Sequence, residues 1–74
     1  MATHHDVRDS VFSVIRGLTP TTEEAMAGLL NVLGAVIAER AKGDVIEQGR
    51  LIGIVESQLP RYVHAYRTNN PLRR

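Results

Sequence analysis

Apolar residues recur along most of this chain at three- and four-residue intervals, the spacing of one face of an α-helix. Val7, Val11, Ile15 and Leu18 form a first stripe, widened by Val14. A helix over about residues 6–17 follows, with Asp6 as its cap, Asp9 as a weak capping-box partner and Gly17 as its stop. Residues 18–22 read as a turn around Pro20, which is tolerated in the first turn of the next helix. Thr21 (or Thr19) caps that second helix, and Glu24 completes Thr21-x-x-Glu24.

The second helix, about residues 22–42, differs from an ordinary surface helix, because residues 25–38 carry no charge. One stripe is Met26, Leu29, Leu30, Leu33, Val36 and Ile37; another is small or polar, Ala27, Asn31, Gly34 and Ala38, with Ala35 beside it. A helix without a charged face is buried on more than one side. Gly43 ends it, and Asp44 caps a third helix at once, with Glu47 in the capping-box position. So short a connection implies an antiparallel helical hairpin.

The third helix, about residues 44–67, carries Val45, Gln48, Ile52, Val55, Leu59, Tyr62 or Val63, and Tyr66 on one stripe, with Ile46, Gly49 and Gly53 beside it. Glycine costs about 1 kcal/mol against alanine in a helix interior. Two of them four residues apart suggest close backbone approach to the Gly28/Gly34 side of helix two. Pro60 removes a backbone hydrogen bond to Glu56, giving either a kink or two helices meeting near Ser57. The stripe keeps its period across Pro60, which favours a bend in one helix. Asn69-Asn70-Pro71 ends helicity.

The expected fold is therefore all-α: a small three-helix domain on an antiparallel hairpin, bent near Pro60 and packed as a homo-oligomeric bundle. Residues 1–5 are expected to be disordered, residues 6–68 to form the single domain, and residues 69–74 to be a flexible basic tail. Met26, Leu30, Leu33, Ile37, Ile52, Val55 and Leu59 are the expected core, with Val11 and Ile15 covering one side.

Composition sharpens the case for assembly. A chain of 74 residues supports only a marginal core alone. There is no Cys, so neither disulfides nor a thiolate zinc site can supplement it, and oligomerisation remains. The self-association surface is expected at Ala27, Asn31, Gly34, Ala35 and Ala38, with Asn31 either pairing across the interface or facing water. An unidentified protein partner is a further possibility.

Net charge is +1, too small for a general field toward nucleic acid. All eight acids nevertheless lie between Asp6 and Glu56, while four Arg and no acid follow Ser57. Arg61, Tyr62, His64, Tyr66 and Arg67, with Arg73 and Arg74, thus form the alternative candidate, a basic and aromatic contact to nucleic acid. A helix-turn-helix over residues 39–50 is disfavoured, because its recognition helix would open with Asp44 and Glu47.

No catalytic constellation is legible: Ser10, Ser13 and Ser57 have no His near them in the chain, and no glycine-rich phosphate loop is present. Adjacent His4 and His5 lack helical metal-ligand spacing. No enzyme activity, metal or cofactor is expected. The polar opening MATHHDVRDS lacks a signal-peptide core, and the uncharged run is shorter than the roughly 20 residues that span a bilayer. A cytoplasmic protein without membrane attachment is expected. Its expected role is non-catalytic: a homo-oligomeric, most simply dimeric, interaction module acting as adaptor, regulator or structural component.

Overall fold

The computed structural model describes residues 1–72, so Arg73 and Arg74 of the basic candidate set lie outside the described residues. The protein is all-α. Its elements are α1 (His4–Leu18), α2 (Thr22–Ala41) and α3 (Val45–Ala65).

Helix α1 starts earlier than the Asp6 cap expected from sequence. Thr3 is the N-cap: the Asp6 backbone N–H donates to Thr3 Oγ1 at 3.2 Å, and the Thr3 N–H donates to Asp6 Oδ2 at 2.8 Å. Asp6 is thus the third residue of a reciprocal box rather than its start, and Asp9 pairs instead with Arg8 at 2.8 Å. Gly17 does not end the helix. It lies inside, and the left-handed residue is Thr19, at φ 46°.

Helix α2 opens as expected. The Glu24 N–H donates to Thr21 Oγ1 at 3.2 Å and the Thr21 N–H donates to Glu24 Oε1 at 2.9 Å. It ends in two successive left-handed residues, Lys42 (φ 50°) and Gly43 (φ 86°). Asp44 then caps α3, accepting from the Ile46 and Glu47 N–H groups at 3.0 and 3.2 Å. The expected return contact from Glu47 does not form. The Asp44 N–H already donates to the Ala41 carbonyl at 2.9 Å, and Glu47 instead accepts from Arg50 Nε at 2.9 Å.

Pro60 sits within α3, which runs as one helix from Val45 to Ala65. The two-helix alternative near Ser57 is therefore not what forms, and α3 stops short of the expected residue 67.

Packing departs most from expectation. Only Ala41, 5% exposed, is buried among the described residues. Val11, Ile15, Leu33, Ile37 and Val55 of the expected core are half-buried. Met26, Leu30, Ile52 and Leu59 are exposed. A Cβ added at Gly28, Gly34, Gly49 or Gly53 would meet nothing within 4 Å, so the close glycine approach between α2 and α3 does not occur in the single chain.

Helices α2 and α3 pack on each other. The segment following α3 also reaches α1. Tyr66 meets Phe12 edge-on with ring centroids 5.8 Å apart, and Arg16 Nη1 donates to the Pro71 carbonyl at 3.1 Å. The result is open. Its radius of gyration is 13.7 Å, against about 11 Å for a compact domain of this length.

Candidate interaction surface

The accessible area of the chain is 6379 Å², where a compact monomer of this mass exposes about 4,500 Å². Exposed aliphatic side chains contribute to it on all three helices. Val7, Val14 and Leu18 of α1, Leu29, Leu30, Val32 and Val36 of α2, and Val45, Ile46 and Val63 of α3 are all exposed. Scattered apolar residues are normal on a surface, but contiguous ones mark contact sites.

Two clefts organise this surface on opposite sides of α2. The first lies between α2 and α3 and is lined by Gly34, Ile37, Ala38, Gln48 and Ile52. Gly34 and Ala38, expected on a face awaiting a second copy, thus look toward α3 of their own chain. Ala27, Asn31 and Ala35 are exposed. Asn31 Nδ2 donates to the Ala27 carbonyl at 2.8 Å, so this side chain is tied to its own helix.

The second cleft is an apolar groove of about 430 Å³ between α1 and α2. Val11, Val14 and Leu18 form one wall, and Ala25, Gly28 and Val32 the other, with Ser10 and Glu24 as its polar members. In the sequence, Leu29 and Val36 fall on the main apolar stripe of α2 and Val32 lies outside it. The signal was there: residues 25, 28, 29, 32 and 36 follow the i, i+3, i+4, i+7 rule of a helix face. It was masked because the opposite face of α2 is apolar as well.

A third opening, about 560 Å³, lies at the α1–α2 turn and is bounded by Ile15, Met26, Leu29 and Leu72. Residues beyond α3 therefore help to shape the surface near α1.

Of the basic and aromatic candidates, Arg61, Tyr62, His64 and Arg67 are exposed. Tyr66, the C-cap of α3, is half-buried against Phe12. Tyr66 is thus engaged with a ring of its own chain.

The charged groups serve helix ends and exposed ion pairs. Hydrogen bonds from the Thr21 backbone and hydroxyl hold the Glu24 carboxyl below its ordinary range. A hydrogen bond from Arg50 does the same for Glu47, and one from Arg8 for Asp9. Among the described residues no three His, Asp or Glu side chains are grouped to hold a metal ion. No helix among them is long and apolar enough to cross a membrane.

No protein-family model, curated protein or solved structure matches the chain.

Proposed function

We propose that this protein is a non-catalytic helical module that works as a homo-oligomer, most simply a dimer, with α2 and α3 as an antiparallel hairpin and α1 as an arm. In this reading it acts as an adaptor, regulator or small structural component in the cytoplasm. The observation that carries it is the lack of a self-sufficient core among the described residues. With Ala41 buried and Val11, Ile15, Leu33, Ile37 and Val55 only half-buried, apolar burial is small against the conformational entropy of ordering three helices, about 1–2 kcal/mol per residue for the backbone alone.

The helices are nonetheless well specified at their ends. Three cap residues and two reciprocal boxes fix where α1, α2 and α3 begin. Caps contribute about 1 kcal/mol each, enough to set boundaries but not to hold helices together. The missing term is apolar burial, and the exposed aliphatic surface on all three helices is where a second molecule would supply it.

Size-exclusion chromatography with light scattering at micromolar concentration tests this. A mass well above 8.2 kDa is expected. A monomer mass together with a cooperative thermal transition would overturn the proposal. Nucleic-acid binding through Arg61, Tyr62, His64 and Arg67 has less support, since Tyr66 is half-buried beside Phe12 and the net charge is only +1.

A further inference from the structure

We propose that two copies associate through antiparallel pairing of their α2 helices, the C-terminal half of each α2 filling the groove between α1 and α2 of the other. This rests on the homo-oligomer reading and adds the face, the orientation and the occupant.

The groove and the segment that fits it lie on the same face of α2. Val11, Val14 and Leu18 of α1 face Ala25, Gly28 and Val32 across the groove. The groove lining ends at Val32, so the first half of this face has a wall beside it. One turn further along, Val36 lies on the same face and is 50% exposed. The face therefore has a recessed half and a projecting half.

Orientation follows from that asymmetry. A parallel pair would set groove against groove and Val36 against Val36. An antiparallel pair places both projecting halves in both grooves at once, through one isologous two-fold contact. Gly28, like the other glycines, has open space where a Cβ would sit, and an antiparallel pair brings the branched Val32 and Val36 of the second copy toward it. Antiparallel helix dipoles also attract rather than repel.

Charge and area agree with a second copy as the occupant. Residues 25–38 contain no Asp, Glu, Lys or Arg, so this stretch can meet itself without like charges in contact or an unpaired charge buried, and the flanking charges Glu24, Glu39 and Arg40 lie at its two ends. The chain as a whole exposes about 1,800 Å² more than a compact monomer of its mass, so there is ample uncovered surface for an interface of standard size, roughly 1,200–2,000 Å² in total.

The absence of Cys makes cross-linking a clean test in the full chain. Gly28→Cys and Val36→Cys are made separately, co-refolded as a mixture and oxidised under mild conditions. The proposal expects a disulfide-linked dimer in the mixture and little in either variant alone. Strong linkage in each variant alone would mean parallel pairing and overturn the proposal. Val32→Glu is expected to raise the concentration of half-dissociation by at least about 100-fold, because it buries an unpaired charge in both copies. Gly34→Glu, on the cleft toward α3, serves as the comparison and should weaken dimerisation less.

Failures at the two levels are distinguishable. A dimeric mass, with no disulfide between the Gly28→Cys and Val36→Cys chains and no effect of Val32→Glu, would overturn this interface while leaving the homo-oligomer standing. A monomeric wild-type chain that melts cooperatively would overturn both.

Discussion

Thr19 holds a conformation that suits it poorly. Its φ of 46° places a β-branched residue in the left-handed region, which costs an ordinary residue about 1–2 kcal/mol. Thr19→Gly is expected to stabilise the fold by up to about 1 kcal/mol, the rest being offset by the greater freedom of glycine in the unfolded chain. Chemical denaturation measures it, and an unchanged or lowered midpoint would contradict the assignment of the strain. At the start of α2 the opposite holds: Thr21 is used twice, as hydroxyl acceptor for the Glu24 N–H and as N–H donor to its carboxylate. Thr21→Ala is expected to cost about 1 kcal/mol. The same box has a pH signature. The folded pKa of Glu24 is lowered by its bonds to Thr21, and that of Glu47 by Arg50. Their stabilisation is therefore fully present above the ordinary glutamate range and is lost as pH falls through the lowered folded values. Helicity followed by circular dichroism should stay level from neutral pH into that range and decline below it. Glu24→Gln should flatten part of the decline.

At the scale of elements, the strongest remaining conflict is Pro60, which lies inside α3 with the helix continuing on both sides. A proline in a helix interior costs about 3 kcal/mol through its missing N–H and its clash with the preceding turn. Pro60→Ala is expected to raise stability by about 1–3 kcal/mol, read as a higher denaturation midpoint; a lower one would mean that the local geometry at Pro60 is needed for packing. What could be read from sequence at this scale was the chemistry of local boundaries. Thr21 with Glu24, and Asp44, have side chains suited to capping and little competition nearby. The start of α1 was ambiguous because Thr3-x-x-Asp6 and Asp6-x-x-Asp9 both fit the cap pattern. The first forms because hydroxyl and carboxylate can satisfy each other's N–H groups, while Asp9 is drawn off by Arg8. Gly17 is permissive rather than compelling as a stop, and the helix runs on until Pro20 is near. Faces were harder to read than ends. Periodicity places Val32 and Gly34 on different sides of α2, but an apolar helix gives no contrast to say which side meets which neighbour. The second groove became visible only once α1 was in place beside it.

The molecule as a whole is wide for its length, with extents of 41 × 30 × 23 Å and one buried side chain among the described residues. If folding and association are coupled, the melting temperature depends on protein concentration. A hundredfold dilution should lower it by several degrees, and a melting temperature independent of concentration would count against coupling. The solitary burial of Ala41 then bears on how such a protein persists in a cell. If the proposed association holds, a newly made chain has no finished interior to protect it until it finds another like itself, so proteases and chaperones would compete with pairing at every low dose. Pairing rises with the square of chain concentration, whereas degradation of single chains rises only in proportion. Steady-state abundance should therefore climb more steeply than synthesis rate at low expression, and a pulse-chase series across graded promoters should show half-life lengthening with dose.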